Sequence, residues 1–302
     1  MASWLPESWM QAMEYFVVTT SAIPQVNRIR SRKRLADLDA TWDAAEAFDH
    51  TEWDGILRTH IYPGGRIVDG DDIIDNVSLV DYAGLAADPR FESYLSRLAA
   101  ANVESLPQAE QLALLLNAYN ALCISLVVRH NAVDSKLPLL SINDLSTAET
   151  KVWDLPAGTL GGRPVSLNEL EHKMLRGMWD EPNLHACIVC ASASCPNLRA
   201  AAYIGDGLGA QMREQMRLFV RNPSKGIDWR GGVLRMSRIF LWFALDFGGR
   251  RAAAAHAVAM AVAADGDADL QLPPNPKVVT RRYFRYSWRL NEHVRQQPAT
   301  TS

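Results

Sequence analysis

A chain of 302 residues, 48% hydrophobic and 22% charged, can bury a large core, and a charged share near the globular average of roughly 25% excludes wholesale disorder. Its 31 basic and 34 acidic residues give a net charge of −3, which excludes the strongly basic footprint of a nucleic-acid-binding domain. Four cysteines are far too few for a disulfide scaffold, and the expected setting is cytoplasmic.

The start, Met1-Ala-Ser-Trp-Leu-Pro-Glu7, lacks the basic opening of a secretory signal, and its apolar stretch Tyr15–Pro24 is shorter than the roughly 20 residues of a membrane span. Residues 1 to 45 read as a helical lead-in. Within it the run Arg28-Ile-Arg-Ser-Arg-Lys-Arg34 is a solvated helix end or a weak contact for an acidic surface. From Trp53 apolar residues fall at helical spacing until Tyr62-Pro-Gly-Gly65 stops them, and Asp69-Gly-Asp-Asp72 is a turn. An extended segment over Val77–Tyr82 leads into helices around Phe91–Ala101 and Gln108–His130. The second of these is apolar nearly all round, which predicts burial at the centre of a domain. Asn117 and Asn120 inside it must therefore face polar partners, as clamps on loops or as the floor of a site.

A hairpin is predicted over Trp153–Val165, turning at Gly161-Gly162, and Ser166-Leu-Asn-Glu169 is a capping box opening a helix over Leu167–Gly177. That helix carries Glu171, His172 and Arg176, and the last two share a face one turn apart. Further on come a helix over Gly207–Val220, a hairpin over Lys225–Met236, an aromatic-rich helix from Ser237 to the glycines after Phe247, a helix over Arg251–Ala264 and a β-like end over Val278–Asn291.

Between them lies the richest chemistry of the chain, His185-Ala-Cys-Ile-Val-Cys-Ala-Ser-Ala-Ser-Cys195, followed at once by Pro196. Leu184–Val189 reads as a strand, and Asn197 onward reads as a helix with Pro196 at its first position. That would set Cys195 near a helix N-cap, where backbone N–H groups favour a thiolate. Three uses of the thiols compete with the plain one of small buried residues at a strand end. Zinc is disfavoured, because Cys187 and Cys190 would point to opposite faces of a strand. A transient Cys190–Cys195 redox pair fits the loop. Cys195 alone could be a nucleophile with His185 or His172 as base.

The motifs Val80-Asp-Tyr82, Leu116-Asn-Ala-Tyr-Asn-Ala-Leu122, Val165–His172, Cys190-Ala-Ser-Ala-Ser-Cys-Pro196, Ile239-Phe-Leu-Trp242, Asp246-Phe-Gly248 and Tyr286-Ser-Trp-Arg-Leu-Asn291 occur in this order. In this the chain resembles the domain of unknown function family 547 from about Phe48 to Asn291. The resemblance implies a common fold and family positions at Asn117, Tyr119, Asn120, Glu171, His172, His185, Cys190, Ser192, Ser194, Cys195 and Pro196. Two residues depart from it: Cys187 replaces a small or apolar residue, and Ser287 replaces an aspartate.

These observations predict an α+β fold, mainly helical on a small, mostly antiparallel sheet, with one long buried central helix. The expected organisation is an extension over residues 1–47, a domain over 48–291 and a loose tail over 292–302. The expected site is cysteine-dependent and uses Cys195, Cys190, His185, His172, Asn117, Asn120 and Glu171, with the turn Ser194–Pro196 open to water beside an imidazole. Its chemistry would be that of a thiol nucleophile, hydrolase or acyl-transfer in type, or of thiol redox. The alternative is a non-catalytic module for a small ligand or protein. No metal or cofactor is expected, and the partner would be a small molecule or peptide.

Overall fold

In the computed structural model the described residues are 32–33, 47–133, 139–262 and 272–293. The predicted lead-in, the run Arg28–Arg34 apart from Arg32 and Lys33, and the tail beyond His293 lie outside them.

The organising element is helix α4, Gln108–Val133, which follows α1 (Thr51–His60), α2 (Tyr82–Ala87) and α3 (Pro89–Ala100). From Ala109 to Val127 its apolar side chains are buried around the whole circumference. The reason is in the sequence, since a helix without a polar face has no side to offer water. Among the described residues it is the helix long and apolar enough to cross a membrane, and here the protein's own core surrounds it. Trp53 stacks on Tyr94 at 5.2 Å between ring centroids, joining α1 to α3 above that core.

The fold is α+β, with three small sheets instead of one. Strands β1 (Ile61–Asp69) and β2 (Asp72–Val80) form an antiparallel hairpin, as do β3 (Pro156–Leu160) and β4 (Arg163–Ser166). Strands β5 (Ile227–Arg230) and β6 (Val233–Met236) pair antiparallel, and β7 (Thr280–Tyr283) adds to β6 in parallel. Tyr62-Pro-Gly-Gly65 does not end the first helical element by a turn. The chain leaves α1 directly into β1, and the glycines absorb a bulge, where a side chain on Gly65 would meet Leu79 at 2.4 Å.

Three later elements position the site. Helix α5 covers residues 167–178, starts at the Ser166 cap and is wound as a π-helix over Leu170–Leu175. Helix α6 is Leu208–Val220 and α7 is Arg250–Val262. The aromatic segment after Ser237 is a short helix, Ile239–Trp242, and a 3-10 turn, Ala244–Phe247, closed by Gly248 and Gly249 at positive φ. Of the β-like end only Thr280–Tyr283 is a strand. The rest runs extended beside the cysteine loop through a Ser192–Leu290 bridge and through backbone bonds from Ala193 N–H to Arg289 O and from Asn291 N–H to Ala191 O.

Candidate functional site

The segment holding the cysteines is neither the strand nor the helix that its composition suggested. Pro182–Ala186 is a 3-10 helix, Cys187–Cys190 is irregular, and no helix follows Pro196. Apolar β-branched residues there reflect burial in the core, which the same residue types serve in irregular backbone. Cys195 therefore gains nothing from a helix N-terminus.

Asn120 and Asn117 fix this irregular backbone from α4. Asn120 donates from Nδ2 to Cys187 O at 2.9 Å and accepts at Oδ1 from Val189 N–H at 2.9 Å. Asn117 does the same to one residue, donating to Tyr203 O at 2.7 Å and accepting from Tyr203 N–H at 3.0 Å. A bent loop has no ladder to satisfy its backbone, so buried amides replace one.

The loop brings Cys190 and Cys195 together. Ala191 between them takes φ +57°, a left-handed conformation rare outside glycine, and turns the chain back on itself. Cys195 Sγ accepts the Cys190 N–H at 3.1 Å and the Tyr286 O–H at 3.3 Å. Cys190 Sγ lies 3.3 Å from the same Tyr286 hydroxyl and 3.1 Å from Ser192 Oγ, which in turn donates to Tyr286 at 3.2 Å. Burial by itself would push the Cys195 thiol up, but hydrogen bonds from the Cys190 side chain, the Tyr286 hydroxyl and the Cys190 backbone outweigh it and bring the group down to about 7. Burial and the neighbouring sulfur push the Cys190 thiol well above its ordinary range. The pair thus gives up one proton readily and keeps the second.

The turn is not open to water: Cys195 is 4% exposed, and Ser194 is sealed by its bond to Ser287 N–H. Cys190 is the partly exposed residue of the two, its sulfur turned in toward Ser192 and Tyr286. Beside it stands an aromatic wall, with Tyr286, Trp242 and Trp288 within 6.0 Å of one another by ring centroids and Trp153 behind Trp288. Cys187 lies apart from this pair in the core, whereas Cys123 is buried close enough to feel Cys195. Burial pushes Cys187 up to about 12, and its sulfur donates to Asn183 O at 3.4 Å.

The histidines form a second cluster. His185 Nε2 meets Asp246 Oδ2 at 2.8 Å, and its ring stacks on Phe243 at 4.2 Å. Arg176 Nε donates to the same Asp246 oxygen at 2.6 Å, and its Nη1 donates to His172 Nδ1. Arg32 reaches Asp246 Oδ1 at 3.9 Å. Burial raises the Asp246 carboxyl, but His185 and Arg176 together hold it well below the usual carboxylate range. Burial lowers His172. Glu171 accepts from Tyr119 O–H at 3.5 Å.

The sequence reading missed Tyr286, whose hydroxyl meets both sulfurs, and Lys225, which bonds to Ala193 and Asn197 on either side of Cys195 in the chain. Tyr286 was visible within a motif, without a role. Lys225 gave no signal, since Asn-Pro-Ser-Lys-Gly looks like a solvated turn; in the fold it is buried, with Nζ 2.7 Å from Asn197 Oδ1.

Residues 103–220 match the family model described as "Protein of unknown function, DUF547", a span that includes α4, the cysteine loop and α6 but not Lys225, Asp246 or Tyr286. No curated protein and no solved structure matches the chain.

Proposed function

With residues 103–220 matching the DUF547 family model, we propose that Cys190 and Cys195 form a dithiol that exchanges with disulfide substrates. The observation that carries this reading is the sulfur of Cys195, held by two donors within hydrogen-bond distance and in contact with the second thiol. A nucleophile with a histidine base would need an imidazole at the sulfur, and both candidate rings are engaged by Asp246 and Arg176.

Exposure divides the roles. Cys190, the residue of the pair nearer the surface, attacks one sulfur of the substrate disulfide as its own proton passes to the Cys195 thiolate. The first substrate thiolate leaves. Cys195 then attacks the Cys190 sulfur and gives its proton to the departing second thiolate. The substrate disulfide gains two electrons and the protein pair loses two, closing a Cys190–Cys195 bond. Asn120 and Tyr286 position the sulfurs in this scheme. Glu171 and Tyr119 border the entry, and His172 and His185 belong to the supporting ion cluster.

Incubation with oxidised glutathione, read by intact mass and peptide mapping, tests the proposal. Wild type should lose two hydrogens and map to a Cys190–Cys195 bond, while Cys195→Ser should accumulate glutathione on Cys190. Exchange no faster than that of a free-thiol peptide would overturn it. A non-catalytic reading has one observation in its favour, the fastening of the C-terminal segment by Ser192, Ser194 and Asn291. It expects both thiols to stay inert while the cysteine variants keep any ligand.

A further inference from the structure

Helix α6 ends at Val220, and the chain turns through Asn222-Pro-Ser-Lys-Gly226 into β5. The turn is tightly determined. Gly226 N–H bonds to Asn222 O at 2.7 Å, and a side chain on Gly226 would strike Phe219 O at 2.0 Å, so only glycine fits. Asn222 and Ser224 fasten the turn to the carbonyl of Asp75 at 2.9 and 3.2 Å. Lys225 is thereby turned inward and is 2% exposed.

Its Nζ donates to Asn197 Oδ1 at 2.7 Å and to Ala193 O at 3.2 Å, both neutral acceptors. The Asn197 oxygen is shared, since it also accepts Ser78 N–H at 3.0 Å. Among the described residues no carboxylate lies within ion-pair distance of this ammonium. A buried ammonium with two neutral acceptors and a spare N–H is costly unless an anion stands nearby. Ala193 and Asn197 are each two residues from Cys195, so the lysine is anchored on either side of that residue along the chain. Both sulfurs favour the charged form of Lys225, against burial that lowers it to about 8.

We infer that Lys225 is the counter-ion of the Cys195 thiolate, a positioning residue that holds the dithiol in its singly deprotonated form near neutral pH. This rests on the dithiol reading and adds its control by pH. The titratable groups that act on the sulfurs are Tyr82 from α2, Tyr119 and Cys123 from α4, Tyr286 from the C-terminal segment and Lys225 from its turn. Lys225 is the cation of that set. Cys195 ionises above about 7 and Lys225 is protonated below about 8, so the ion pair is fullest between the two.

Thiolate absorbance from pH 5 to 10 reads the pair directly, because Cys123 and Cys187 are pushed up by burial and stay silent near neutrality. Lys225→Met should leave about fivefold less thiolate at pH 7, a midpoint raised by about one pH unit, and Lys225→Arg should restore most of it. A second arm guards against misfolding of the methionine variant: the Lys225 side-chain resonance, titrated by NMR, should show a lower midpoint in Cys195→Ser than in wild type. An unchanged thiolate midpoint in a folded Lys225→Met, or an unmoved lysine in Cys195→Ser, overturns the inference and leaves the dithiol reading standing. The dithiol reading falls separately, if wild type with Lys225 intact forms no Cys190–Cys195 bond with oxidised glutathione.

Discussion

Around Asp246 the buried charges close on themselves: Arg176 and His185 share one carboxylate oxygen, Arg32 approaches the other, and Phe243 covers the histidine ring. Around Cys195 they do not close. Two sulfurs and two hydroxyls meet there, with the Lys225 ammonium held on Ala193 and Asn197, and the charge state of the thiol pair depends on where one proton rests. Both regions hold residue types that catalysts use. A closed ion cluster suits support, whereas a proton-sharing pair of thiols suits chemistry.

Breaking the closed cluster should have the largest effect. Asp246→Asn leaves Arg176 buried without its carboxylate and should cost about 3–5 kcal/mol, read by denaturant unfolding. A loss below about 1 kcal/mol would mean the cluster is not the support described. The open region should respond to pH instead. The Cys195 thiol is lowered to about 7 from an ordinary value of 9.0, so between these pH values the unfolded chain binds more protons than the fold. Its contribution is complete above 9, and is lost as pH falls through 7. Lys225, lowered from 10.5 to about 8, acts in the same direction over the upper part of this window. Ionisation of Cys195 alone should raise the unfolding free energy by about 2 kcal/mol from pH 7 to 9, and a Cys195→Ser variant should lose that part of the slope.

Asn120 links the two regions, since it clamps the bend between His185 and Cys190. Asn120→Ala removes two buried hydrogen bonds and should cost about 2 kcal/mol, visible as a lower melting temperature. The smallest stability change, under about 1 kcal/mol, is expected for Tyr286→Phe, which removes one hydroxyl donor from the sulfurs. Its signature is kinetic: alkylation of the pair by iodoacetamide at pH 7 should slow by about threefold or more, because the thiolate has lost a donor. An unchanged rate would remove Tyr286 from the site.

Some of this was legible in residue order alone, for physical reasons that are local. The all-round apolar stretch from Gln108 could only be a buried helix, Ser166 and Glu169 announced a capped start, and the glycine pairs at 161–162 and 231–232 marked hairpin turns that the fold contains. Asn117 and Asn120 had to meet polar groups, and do. The cysteine loop was misjudged in its backbone: Leu184–Val189 carries strand-like side chains because it is buried, and irregular structure becomes affordable there only because Asn120, some 70 residues away, satisfies it.

The composition and local patterning determined the α+β class, the central helix and the place where thiols gather. Only the tertiary structure decided that Cys195 is covered and Cys190 partly exposed, that His185 turns to Asp246 and His172 to Arg176, that Tyr286 meets the sulfurs from a position 91 residues away, and that Lys225 reaches Ala193 and Asn197 beside Cys195. Propensity and periodicity act over a few residues, whereas a proton's position is set by which distant donors and charges the packed core brings within a few ångströms.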